Sequence, residues 1–193
     1  GDDRLRRGAG VQQDLTAPDI ATKIMYRMLN ITAQRLRDTG EVLSDMVHWG
    51  EAARRRAITD ELTGAYNRRF LDDALVSQVE LAGNSGRPLS LVMVDLDYFR
   101  EINENYGHEA GDRCILEAVR LFNRHLREGD ILARFGGDEF TVLMPDTTWQ
   151  TALDLADRVR KSMGELDILG QYKGPVKTLS MSAGVASFPA HAD

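Results

Sequence analysis

An α/β fold is predicted for this chain: a mixed central β-sheet flanked by helices, with a helical stalk at its N-terminal end. Three observations lead there. Leu89-Ser90-Leu91-Val92-Met93-Val94 is a nearly continuous apolar run, the pattern of a strand buried on both faces in mid-sheet. Two further apolar runs, Ile131-Leu132-Ala133 and Phe140-Thr141-Val142-Leu143-Met144, enclose Arg134-Phe135-Gly136-Gly137-Asp138-Glu139 and read as a β-hairpin with Gly-Gly at a tight tip. Elsewhere the apolar residues recur at helical spacing, and helices interleaved with strands build a layered α/β domain.

Taken in order, residues 1–16 are polar and glycine-containing and read as a poorly ordered lead-in to Pro18. From Asp19 the pattern is helical. Leu29, Leu36 and Leu43 recur every seven residues, flanked by Met25 and Met46 and by Met28, Val42 and Trp49. This stripe suits a dimerising coiled-coil stalk, with Thr32 and Thr39 at the second core position. Gly40 marks a place to break it into a helical hairpin, and packing on its own domain is the other use for such a face. The Arg54-Arg55-Arg56 cluster is a solvated helix face, and no turn signal interrupts 52–58, so a stalk over 1–59 leads into a domain over 60–193. There the spacing predicts a helix from Arg68 to Leu81, a strand over 89–94 and a short helix from Tyr98 to Asn105. An amphipathic helix over Gly111 to Leu126 presents Ile115, Val119, Phe122 and Leu126 on one face. After the hairpin, a helix starts near Thr148 with Leu153, Ala156, Val159 and Met163 inward, and Val176 to Phe188 alternates as a long or bent strand.

Composition narrows the function. A hydrophobic fraction of 42% over 193 residues suits a globular chain with a real core. The single cysteine, Cys114, excludes a disulfide framework and sits on an apolar helical stripe, as a buried structural thiol does. No run approaches the roughly 18 apolar residues of a membrane span, and no signal-peptide pattern is present. The expected location is cytoplasmic, with room for a sensor domain upstream. A net charge of −6 argues against general nucleic-acid binding. An anionic nucleotide would need local devices: metal ions, helix N-termini and single arginines.

Two acidic clusters supply such devices. Glycines without a Cβ let a backbone approach a ligand closely, and the adjacent Asp138 and Glu139 can hold a hard cation such as Mg²⁺. Asp95 directly follows the buried strand. One carboxylate from each cluster makes a two-sided cage, completed by nucleotide phosphates. Asp97, two residues on, reads as a cap for the next short helix.

From Asp60 onward the chain resembles a GGDEF domain of the diguanylate cyclase family. The resemblance is carried by Asp60-Glu61-Leu62-Thr63-Gly64 with Asn67-Arg68-Arg69, then Asp95-Leu96-Asp97-Tyr98-Phe99, then Asn103, Tyr106-Gly107-His108 and Gly111-Asp112. Arg134-Phe135-Gly136-Gly137-Asp138-Glu139-Phe140 and Ser182-Ala183-Gly184-Val185-Ala186 complete it. It implies a palm-like, ferredoxin-related sheet shared with nucleotide cyclases. It also implies condensation of two GTP into cyclic di-GMP with loss of two pyrophosphates, by a homodimer in which each domain holds one GTP. Two Mg²⁺ (or Mn²⁺) ions per active site are implied.

Matched residue by residue, the resemblance assigns metal ligation to Asp95, Asp138, Glu139 and the carbonyl of Leu96. Asp138 or Glu139 takes the hydroxyl proton. Guanine is read by Asn103 and Asp112, although Asp112 also suits an N-cap of the following helix. Phosphate falls to Phe99 and Arg100, with Gly136 and Gly137 at the substrate. Arg127 and Asp130 lie at the family's inhibitory spacing, with Arg158 as a second arginine, and would bind product as an allosteric brake. Arg100 stands where the family usually has lysine, and Glu104 where Asp is commoner; the second change is expected to matter little. The sequence stops at Ala190-His191-Ala192-Asp193, short of the helix and closing strand with which the family continues. The alternative is a catalytically silent module that binds GTP or cyclic di-GMP and signals through its stalk. The intact carboxylates favour the enzyme, and Asp112 disfavours adenine-containing products.

Overall fold

A computed structural model describes residues 17–191. The expected lead-in over 1–16 lies outside the described residues. By contact the chain divides between Ala52 and Ala53 into two units.

The first unit is occupied by helix α1, Ala17–Ile58, which runs on to the start of the second. The break expected at Gly40 does not occur. One glycine costs a helix interior about 1 kcal/mol, too little to interrupt 42 helical residues. The seven-residue stripe is open to solvent: Leu29 and Leu36 are each 70% exposed, and Met25, Leu43, Met46 and Trp49 are exposed with them. Thr32 and Thr39 donate their hydroxyls one turn back to the carbonyls of Met28 and Arg35, at 2.9 and 2.7 Å. No helix among the described residues is long and apolar enough to cross a membrane.

The second unit is built on five strands: β1 (Tyr66–Asn67), β2 (Leu89–Leu96), β3 (Ile131–Arg134), β4 (Glu139–Pro145) and β5 (Met181–Phe188). Their order is β1-β3-β4-β2-β5, parallel between β1 and β3 and antiparallel elsewhere, so the sheet is mixed as expected. Its helices are α2 (Arg68–Ser85), α3 (Phe99–Tyr106), α4 (His108–His125) and α5 (Trp149–Gly164). Asn67 caps α2 by accepting from the Phe70 N–H at 3.0 Å, and Thr148 caps α5.

The main core lies on one face of the sheet. Val92, Val94 and Leu96 of β2 and Phe140, Val142 and Met144 of β4 pack with α4 and α5 through Ile115, Phe122, Leu155 and Val159. Each such side chain contributes about 1.5–3 kcal/mol by leaving water. Cys114 is fully buried in this layer as expected, and burial pushes its thiol pKa up to about 11. A smaller cluster on the other face joins Leu71 and Ala82 of α2 to Leu89, Ala133 and Leu143.

Three expectations need correction. β2 is not buried on both faces throughout, because α2 covers only its start; Met93 is 45% exposed and Asp95 is exposed. Leu153 of α5 points outward at 46% exposure, and Ala152 and Leu155 take the inward positions. The last strand begins at Met181 rather than Val176. The preceding alternation reflects a loop that buries Val176 and Leu179 without sheet pairing. Part of that loop is held by Tyr106, whose hydroxyl donates to the Val176 carbonyl at 2.7 Å.

Candidate active site

The two acidic clusters meet where β2 ends and β4 begins. Asp95 is the register partner of Glu139, and the Leu96 N–H donates to the Asp138 carbonyl at 3.2 Å. The loop between β3 and β4 is thereby docked on the end of β2. Partial desolvation of this otherwise exposed side chain, and then the charges of Asp138, Glu139 and Asp97, push the Asp95 carboxyl above its usual range. A carboxylate held against like charges is one that a cation would relieve. Among the described residues no three side chains form a ready-made metal cage. Mg²⁺ is usually held by one or two carboxylates and completes its octahedron with phosphates and water, and Asp95 and Glu139 stand opposite each other across β2 and β4. The residues present suit such a group.

The hairpin is wider than a two-residue turn. Arg134 pairs with Phe140, and the Phe135 N–H donates to the Glu139 carbonyl at 2.9 Å. Neither Gly136 nor Gly137 takes a positive φ. At Gly136 an ideal Cβ would fall 2.7 Å from Glu139 Oε2, so a larger residue would push the end of that exposed side chain aside. Gly137 is gripped through its carbonyl, which accepts from Arg134 Nη2 at 2.7 Å and Nε at 3.0 Å. Arg134 Nη1 also donates to both Asp60 oxygens, at 3.1 and 3.3 Å. Asp60 caps its own turn by accepting from the Thr63 N–H and hydroxyl. This brace of the tip was not assigned from sequence, because Asp60 and Arg134 are far apart in the chain and each matched only a motif.

The elements after β2 carry the remaining candidates. Phe99 and Arg100 open α3, whose N-cap is Tyr98 at φ 59, with no side-chain cap. Asp97 therefore does not cap that helix. Its carboxylate accepts from the hydroxyls of Ser180 and Ser182, each at 2.7 Å. Arg100 is exposed, and its Nε donates to Glu104 Oε1 at 2.7 Å, so Glu104 competes for the guanidinium. Asn103 sits one turn further along α3 and is half-buried. Its carboxamide lies against Gly111 of α4, where an ideal Cβ would come within 2.1 Å of Asn103 Oδ1. Asp112 follows, exposed and inside α4; the N-cap of that helix is Gly107, which removes the capping role.

Arg127 and Asp130 form a closed turn between α4 and β3. Asp130 accepts from the Arg127 N–H at 3.1 Å and from its Nε at 3.2 Å, with its side chain 1% exposed. Arg127 Nη2 reaches the Pro145 carbonyl and the Thr147 hydroxyl. Arg158 lies exposed on α5.

Comparison with known proteins agrees with this architecture. The profile described as "Diguanylate cyclase, GGDEF domain" matches residues 57–193. The response regulator PleD of Caulobacter vibrioides is 32% identical over 184 residues, covering 95% of this chain and 39% of that protein. The diguanylate cyclase DosC of Escherichia coli is 34% identical over 181 residues, covering 94% of this chain and 38% of that protein. The chain thus spans under two-fifths of the length of these relatives. Among solved structures, the coiled coil and GGDEF domain of DgcB from Caulobacter crescentus, in complex with c-di-GMP, superposes with a TM-score of 0.73. The match has 25% identity and covers 81% of this chain and 82% of that one.

Proposed function

This chain belongs to the GGDEF-domain family of diguanylate cyclases, and from that premise we propose that it condenses two GTP into cyclic di-GMP, releasing two pyrophosphates. The observation that carries the reading is the docking of the Asp138-Glu139 loop on the end of β2, where Glu139 is the register partner of Asp95 and the charges of Asp138 and Glu139 act on its carboxyl.

Asp95, Asp138, Glu139 and the Leu96 carbonyl would hold Mg²⁺ or Mn²⁺, two ions per site. When bound, the ions neutralise phosphate charge and acidify the attacking 3′-hydroxyl. Asp138 and Glu139 act as a coupled pair of acceptors for that proton. The N–H groups opening α3, with Arg100, face the β- and γ-phosphates. Gly136 and Gly137 let the loop backbone lie against the nucleotide. Asn103 and Asp112 read guanine: a carboxylate accepts from both N1–H and the exocyclic amine, which adenine does not present together. These groups bind and orient; the chemistry depends mainly on positioning and charge neutralisation.

Each domain supplies one GTP, so the active species is a homodimer, assembled through the exposed stripe of α1. Arg127, Asp130 and Arg158 form the product site. Asp130 is engaged by Arg127 in this conformation, so product first meets the open side of the guanidinium. The reaction belongs in the cytoplasm, where GTP is available, and the stalk is suited to relay a signal from a sensor upstream.

The test is incubation with GTP and Mg²⁺ beside an Asp138→Ala control, resolving products by chromatography. Cyclic di-GMP from the parent alone supports the reading. Folded parent protein that binds GTP or cyclic di-GMP and makes no product would favour the silent binding module instead.

A further inference from the structure

Asp97 stands one residue beyond the Leu96 carbonyl, and its carboxylate is engaged by the strand across from it rather than by the helix that follows. Ser180 Oγ donates to Oδ2 and Ser182 Oγ to Oδ1, both at 2.7 Å, while the Asp97 N–H donates to the Ser180 carbonyl at 3.0 Å. An ionised carboxylate only accepts, so it can take both hydroxyls at once. The two serines flank Met181, which is buried and is the register partner of Leu96. Ser182 is in turn the register partner of Asp95.

The clamp sits where the backbone most needs one. Among the described strands β5 pairs only with β2, so its first residues are held from one side, and such strand ends open at low cost. The residue after Asp97, Tyr98, takes a φ of 59, a conformation that a bulky residue keeps only when its surroundings impose it. No side-chain cap at the start of α3 imposes it. The three bonds at Asp97 anchor the residue directly before it.

We propose that Asp97 is a positioning residue for the metal-holding end of β2, its clamp on Ser180 and Ser182 fixing the direction of the Asp95 carboxylate and the Leu96 carbonyl. The inference rests on the diguanylate cyclase reading and names a residue that acts through its neighbours. Contacts that orient metal ligands typically change metal affinity by about 10–100-fold when removed.

The test uses Mn²⁺ in the presence of 3′-deoxy-GTP, which lacks the attacking hydroxyl, with free ion counted by electron paramagnetic resonance. The Ser180→Ala/Ser182→Ala double variant keeps Asp97 and loses both donors. Its Mn²⁺ affinity is expected to fall about tenfold or more, with the fold retained at a somewhat lower melting temperature, and Ser182→Thr, which keeps a hydroxyl, is expected to bind like the parent. A folded double variant that binds Mn²⁺ as tightly as the parent overturns the inference. If the double variant does not fold, Ser182→Ala, at an exposed position, takes the same titration, and parental affinity there overturns it too. A parent that binds no Mn²⁺ overturns the proposed function as well, which separates the two failures.

Discussion

Gly111 is buried in α4 to make room for a neighbour's side chain, and that gives a substitution whose two effects have opposite signs. Alanine in a helix interior is favoured over glycine by about 0.8–1 kcal/mol, but here its Cβ would collide with Asn103 Oδ1 and press on the Phe99 ring at 3.2 Å. Asn103 has to swing away from its proposed guanine contact. A net hydrogen bond of about 1–1.5 kcal/mol corresponds to roughly tenfold in affinity. Gly111→Ala is therefore expected to raise the KM for GTP about tenfold while the melting temperature holds; an unchanged KM would remove Asn103 from base reading. Asp60 gives a second prediction at this scale. Burial alone would raise its pKa, but hydrogen bonds from Thr63 and Arg134 outweigh burial and hold it below the usual value. A depressed folded pKa adds stability that is complete above the unfolded value, about 3.9, and is lost as the pH falls through the folded one. Asp60→Asn should thus melt below the parent at neutral pH. The gap should close in acid below about pH 3.9, as thermal melts across that range would read. A gap of constant width would mean that the Asp60 charge is not what braces Arg134.

The turn from α4 into β3 is the element at which stability and regulation meet. Arg127 ties that turn to Asp130 and to the end of β4 through the Pro145 carbonyl and Thr147, so it is a brace before any product binds. Arg127→Ala is expected to cost about 1 kcal/mol, because the Asp130 carboxylate keeps the backbone N–H of residue 127 but loses the guanidinium. It should also abolish the late slowing of GTP turnover. Progress curves normalised to folded protein separate the two effects, and curves that bend as the parent's do would remove Arg127 from product binding. Most elements were legible because their apolar periods are long: the β2 run, the α4 face through Ile115, Val119 and Phe122, and the helix starting near Thr148. The misses have local causes. β1 is two residues long and carries no period. Val176 and Leu179 are buried by a loop, which mimics strand alternation. Gly136 reads as a turn residue until Glu139 is placed beside it. The partners of Asp97 lie more than 80 residues away along the chain, so a helix cap was the nearer explanation. The acidic ends of β2 and β4 were legible as a pair, since each follows or opens an apolar run; their braces were not.

At the scale of the whole molecule, the proposed reaction sets a requirement that one domain does not meet. Each domain supplies one GTP, and its 3′-hydroxyl needs the α-phosphate of another. Turnover per chain must then follow the fraction of chains that are paired, and α1 offers the means. Its 42 residues span about 63 Å at the usual rise, with Leu29, Leu36 and Leu43 exposed along it. Burying one leucine is worth about 1.5–3 kcal/mol, and a symmetric dimer buries it twice. Leu36→Glu removes that burial on both helices and sets like charges against each other. The dimer dissociation constant should therefore rise by at least about two to four decades. Within the catalytic unit nothing changes, so its melting temperature should hold. The parent's specific activity should stay flat as protein is diluted, while that of Leu36→Glu should fall with dilution and recover at high concentration. Sedimentation at the same concentrations reads the pairing directly. Dilution curves of the same shape for both proteins would mean that the catalytic domains meet without the stalk, leaving its exposed stripe to contact something else.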